Sequence, residues 1–121
     1  MSKNNGYIDR ENLFANPAKR RFSDTEIEGF GKVRLRSLTA REKTRYDSRA
    51  IDSKGRVKTS ALLTANARLI VLVVVDSEGQ PVFSDGDVEK LLDMDSGVIE
   101  QLASDCGKHC GIADEEESAK N

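Results

Sequence analysis

A chain of 121 residues is a soft prior for one domain, and 37% hydrophobic against 33% charged residues is the balance of a water-soluble fold. With no Trp and 5% aromatic residues the core must rest on Leu, Ile, Val and Ala. Two cysteines and one histidine leave no room for a disulfide framework, or for a structural zinc site built from two separated ligand pairs. The net charge of −2 conceals a split: residues 1–60 hold 15 Lys+Arg against 8 Asp+Glu, hence +7, and residues 61–121 hold 4 against 13, hence −9. Such a division favours head-to-tail self-association or a charged partner.

Residues 1–23 show no sustained apolar period, and Pro17 interrupts them. Tyr7, Ile8, Leu13, Phe14 and Phe22 are scattered among Asn, Lys and Arg. The segment reads as a flexible arm that docks on a partner or a neighbouring copy. No apolar segment follows the polar start, and the longest apolar run falls far short of the roughly 20 residues that span a bilayer. The expectation is a cytoplasmic protein without a membrane partner.

Thr25 and Ile27 alternate with Glu26 and Glu28, Gly29-Phe30-Gly31 supplies a turn, and Val33 and Leu35 alternate with Lys32, Arg34 and Arg36. Period two predicts a β-hairpin with Val33 and Leu35 on a buried face and the three cations toward water. Glu26 and Glu28 would lie across from those cations. Thr39-Ala40-Arg41-Glu42 is a capping box, opening a charged helix to about residue 51 with Tyr46 and Ala50 inward. Residues 52–55 make a loop.

Ala61, Leu62, Leu63, Ala65 and Ala67 lead into seven consecutive apolar residues, 69–75. Ala and Leu favour helix from about residue 59 to 72, and the closing valines favour a short strand. Residues 76–80 read as a turn, with Val82-Phe83 returning; a helix end followed by a loop is the other reading of residues 72–83. Ser84 caps a short helix carrying Val88, Leu91 and Leu92. Asp95 or Ser96 caps the last helix, with Val98, Ile99, Leu102, Ala103 and Cys106 inward and Gly111 as its stop. Residues 113–121 are acidic and read as a disordered tail. Together these elements predict an α+β fold, a small and predominantly helical single domain over residues 24–112 with an N-terminal antiparallel β-hairpin and flexible termini.

Candidate chemistry is thin. Cys106, His109 and Cys110 form a C-x2-H-C group, but one helix struggles to aim i, i+3 and i+4 at one ion, and the fourth ligand is missing. A cysteine nucleophile with His109 as base has no residue to orient the imidazole and no oxyanion-type glycine loop. Asp76, Asp85, Asp87 and Asp93 do not match the register of a calcium loop. No catalytic, cofactor-binding or metal residue is therefore assigned, and no enzyme is expected. The basic set Lys19, Arg20, Arg21, Arg34, Arg36, Arg41 and Arg45, with Phe22 and Phe30, is the nucleic-acid candidate, set against an acidic whole of pI about 5.5.

Residues 27–39 (IEGFGKVRLRSLT) with Glu42, residues 75–88 (VDSEGQPVFSDGDV), and a final helix closed by Gly111-Ile112 before an acidic tail ending in Lys120-Asn121 occur in that order. Taken together they resemble the tail assembly chaperones of siphophages and related prophages. The resemblance implies a non-enzymatic protein in the bacterial host cytoplasm. It would bind the tape measure protein, hold it soluble while the tail tube polymerises around it, and be absent from the finished virion. It also implies a frameshift-extended longer form in many members. The alternatives are a minor tail or assembly scaffold component, and a small nucleic-acid-binding module using the basic half.

Overall fold

The computed structural model describes residues 6–15, 19–50, 53–56 and 59–112, with the backbone alone for residues 59–63. The expectations for residues 1–5, 16–18, 51–52 and 113–121 lie outside the described residues. The chain forms α1 (Arg10–Phe14), β1 (Phe22–Ile27), β2 (Gly31–Arg36), α2 (Ala40–Ser48), α3 (Thr59–Val73), β3 (Val74–Val75), a 3-10 turn (Asp85–Asp87), α4 (Val88–Leu92) and α5 (Ser96–Cys110). The expected α+β architecture is what is found.

The hairpin forms because Phe30 can donate its N–H to the Ile27 carbonyl at 2.9 Å while Gly29 takes φ 86°, a conformation a β-carbon would disfavour. Ser23, Thr25 and Ile27 then lie opposite Leu35, Val33 and Gly31. Directly opposed residues share a face, so this side is the inner one; Ile27 and Leu35 are each 2% exposed. Val33 is half-buried. β1 starts three residues ahead of Thr25. Ser37 donates its N–H to the Arg21 carbonyl, and Arg21 donates its own to the Ser37 hydroxyl, both at 2.9 Å. This non-local clasp carries the pairing back to Phe22, where period two gives no signal.

The outer face is less open than its cations suggest. Arg34 donates to Asp24 at 2.8 and 3.2 Å and to the Ser77 carbonyl at 2.9 Å, and Arg36 donates to the Gly79 carbonyl at 3.3 Å. The turn after β3 therefore lies over the strand that was expected to face water. Glu26 does pair in register with Lys32, whereas Glu28 sits in the turn and Asp24 supplies the ion pair.

α3 passes into β3 without a connecting residue. Val74 pairs with Leu35 and Val75 with Arg34, making the sheet order β1-β2-β3. Asp76 then reverses the chain: its carboxylate accepts from the N–H of Glu78 at 2.8 Å and of Gln80 at 3.0 Å. Val82 donates back to the Val74 carbonyl at 3.3 Å, so the tight-turn reading of residues 72–83 holds. Ile70, Val73, Leu35 and Cys106 are the largest fully buried side chains, placing the core where α3, β2 and α5 meet.

Thr39 caps α2 as expected. Its hydroxyl accepts from the Glu42 N–H at 3.1 Å, and the Glu42 carboxylate accepts from the Thr39 N–H at 3.0 Å. Tyr46 docks the helix by donating to the Ala65 carbonyl at 3.4 Å, with the Arg68 guanidinium 5.0 Å from its ring centre. Thr39→Ala is expected to lower unfolding stability by about 1 kcal/mol, the usual cost of a lost N-cap. Urea denaturation checks this; an unchanged midpoint would mean that the box contributes nothing.

Asp95, not Ser96, caps α5 by accepting from the Val98 N–H at 3.1 Å. Gly111 closes it in the left-handed region, φ 71°, with the Ile112 N–H on the Gly107 carbonyl at 2.9 Å. Leu91 of α4 is buried, but Leu92 is 38% exposed rather than inward. α1, which the sequence did not announce, is capped by Asp9 accepting from the Asn12 N–H at 2.8 Å. None of its residues is buried, and Tyr7, Ile8, Leu13 and Phe14 are exposed around it.

Candidate functional site: an apolar cleft

The feature best suited to hold a partner is a cleft of about 380 Å³ between the hairpin tip and the helices. Ile27 and Val33 come from the hairpin, Val74 and Val75 from β3, Val82 and Phe83 from the returning segment, Leu91 and Met94 from α4 and its exit, and Val98, Ile99 and Leu102 from α5. Each is there for a local reason. The hairpin register turns Ile27 and Val33 to one side, the Asp76 turn brings Val82 back beside Val74, and α5 presents Val98, Ile99 and Leu102 at i, i+1 and i+4.

The lining is apolar and the rim is not. Phe30, Val82 and Met94 stand at the edge with 65%, 51% and 39% exposure. Asp24, Lys32, Arg34, Asp76 and Ser77 border the opening. The Arg34 guanidinium beside Asp24 holds that carboxyl below its ordinary range, so the rim pair stays ionised down to acid pH. Apolar walls with a few charged groups at the mouth are the arrangement that takes up apolar side chains and orients them by polar contacts. No chemistry is built into it.

The C-x2-H-C group does not converge. Cys106 is fully buried, and the Cys110 sulfur lies 3.9 Å from the Arg36 carbonyl. His109 turns toward β1, with Nε2 2.9 Å from the Arg21 carbonyl and Nδ1 3.0 Å from the Ser23 hydroxyl. A carbonyl can only accept, so Nε2 carries a proton and donates to Arg21. Among the described residues no three His, Cys, Asp or Glu side chains assemble as a metal site would need. Burial pushes both thiols up, Cys106 furthest. A neutral buried thiol is a poor nucleophile. In the native protein a disulfide reagent should titrate Cys110 slowly and Cys106 only on unfolding; rapid reaction of both would show that α5 opens.

Four of the seven cations in the basic set are engaged within the fold, while Arg41 and Arg45 are exposed on α2. Arg20 donates to the Ser37 carbonyl and to Glu42, Arg21 to the His109 carbonyl, and Arg34 and Arg36 to the groups already named. Phe22 lies against Gly79, where an added methyl would meet its ring at 3.5 Å, while Phe30 stands at the other end of the hairpin. The two rings do not form one stacking platform with the cations. Among the described residues no helix is long and apolar enough to cross a membrane.

The sequence matches no protein-family model and no curated protein. The fold does have a solved counterpart. The chain is similar to the tail assembly chaperone of bacteriophage HK97, with a TM-score of 0.60 and 20% sequence identity over 83% of this chain and 98% of that one. At that identity the likeness is one of fold, and at that level it bears out the resemblance read from residues 27–39 and 75–88.

Proposed function

We propose that this chain is a tail assembly chaperone of a long-tailed phage or prophage. It works in the host cytoplasm, binds the tape measure protein, keeps it soluble while the tail tube assembles, and is left out of the virion. The observation that carries this reading is the apolar cleft with its exposed Phe30, Val82 and Met94, set on a domain with the fold of the HK97 chaperone. A groove of this kind accepts the apolar face of an amphipathic helix, read as anchors at i, i+3, i+4 and i+7. A long helical client offers many such faces, so many weak sites in series would hold it by avidity. Self-association of copies along the client, and a frameshift-extended form of the same chain, belong to this reading.

Co-expression with a tape measure protein from the phage or prophage that carries this chain tests the proposal. The client should move from the insoluble to the soluble fraction with the wild-type chain. It should stay insoluble with Phe30→Asp or Val82→Asp, both at exposed positions that leave the core intact. A client that remains insoluble with the wild-type chain would refute the chaperone reading. A client equally rescued by both variants would refute the cleft as its site.

A further inference from the structure

Two rows of like charge stand on the described surface. Arg41, Arg45 and Arg49 follow one another at i, i+4 and i+8 along α2, all exposed. Asp85, Glu89 and Asp93 follow one another at the same spacing through the 3-10 turn and α4, and they too are exposed. Like charges four residues apart work against the helix that carries them. The charges beside them on the same elements are matched, Glu42 with Arg20 at 3.1 Å, Lys43 with Asp47, and Asp87 with Lys90 at 3.9 Å. Among the described residues, none of the six in the two rows has an ion-pair partner.

The rows are alike in length, opposite in sign and neighbours in space. Each advances about 12 Å along its axis, at roughly 1.5 Å per helical residue. Asp85, the first of the acids, borders the same small hollow as Arg45 and Arg49, with Tyr46, Arg68 and Leu72 completing its wall. It is bonded to neither arginine. A surface that carries both halves of a match side by side, without closing them in one molecule, is self-complementary. A twofold rotation lays each row of one copy on the opposite row of the next.

We infer that two copies of this chain pair through this surface, with Arg41, Arg45 and Arg49 of each copy lying against Asp85, Glu89 and Asp93 of the other. The charges select this occupant. A polyanion drawn to the arginines would also meet the acidic row beside them, and a polycation drawn to the acids would meet the arginines. Like charges brought face to face are penalised, so a partner must carry both signs in the matching arrangement. A second copy does. The inference gives named residues to the self-association proposed above, and it stands without the cleft or its client.

The test is sedimentation equilibrium of the full chain in about 0.05 M salt, where exposed charges are screened little. The wild type should pass from monomer to dimer with rising concentration and go no further. In about 1 M salt, where the Debye length is about 3 Å, the dimer should weaken roughly tenfold or more. Two triple variants at exposed positions, R41E/R45E/R49E and D85K/E89K/D93K, should each be monomeric alone, because each then carries a surface of one sign. Their equal mixture should restore a dimer of one copy of each, which a variant that had merely failed to fold could not do. A wild type still monomeric at about 1 mM would overturn the inference. Variants that pair alone as the wild type does, or a mixture that stays monomeric, would overturn it too. Growth past the dimer would replace the reciprocal pair by an open chain of copies. None of these results alters the client-solubility assay, so this inference and the chaperone reading fail separately.

Discussion

Leu35→Asp is expected to abolish the folded state. Leu35 is 2% exposed at the centre of the sheet, between Ser23 on one side and Val74 on the other. Among the described residues the buried cluster around it is apolar, and burying an unpaired charge costs more than a small domain can offset. Leu35→Ala, which removes atoms without adding charge, should fold but lose about 2–5 kcal/mol. Lys32→Ala, on the exposed outer face, should stay within about 0.5 kcal/mol of wild type. Thermal and urea denaturation followed by circular dichroism measure all three. A wild-type melting temperature for Leu35→Asp would mean that the inner face has been assigned to the wrong side of the hairpin.

Asp76→Ala is expected to be the most damaging change at an exposed position, at about 2 kcal/mol for two lost charge-assisted hydrogen bonds. The Asp76 carboxylate is the one group that holds the N–H of both Glu78 and Gln80. That turn carries the Ser77 and Gly79 carbonyls to Arg34 and Arg36, and returns Val82 to the cleft rim. Asp76→Asn, which keeps the oxygen acceptor, should recover about half of the loss. If alanine and asparagine prove equivalent, the side chain is not what closes the turn.

Much of the fold was legible because its signals are local. Thr39 and Glu42 announce their helix within four residues, Asp95 and Gly111 bracket another, and Gly29 marks the one place where the hairpin can reverse. What escaped is non-local. The early start of β1 depends on Ser37 clasping Arg21 and on His109 reaching Ser23 from the far end of the chain, neither of which leaves a trace in periodicity. The Val73 to Val74 switch from helix to strand is suggested by composition, yet its position is set by pairing with Leu35. The cleft was invisible for the same reason. Its walls come from the hairpin, β3, the returning segment and two helices, and no stretch of sequence contains it. Lys32 is exposed as period two implies, but Arg34 and Arg36 are drawn in by the Ser77 and Gly79 carbonyls, backbone acceptors that any residue could have supplied.

The junction between α3 and β3 bears on how the cleft meets its occupant. A helix that becomes a strand with no intervening residue has no hinge. Val74 and Val75, which line the cleft, are therefore joined directly to the fully buried Val73 and Ile70. The floor cannot sink or tilt unless the centre of the domain moves with it. Binding then requires little reordering of this wall, and a preorganised wall keeps more of the contact energy as affinity. In the proposed role, adaptation to different clients comes from the exposed side chains at the rim, Phe30, Val82 and Met94. A fixed floor with an adjustable rim would suit the proposed function, in which successive, non-identical turns of one long client are gripped.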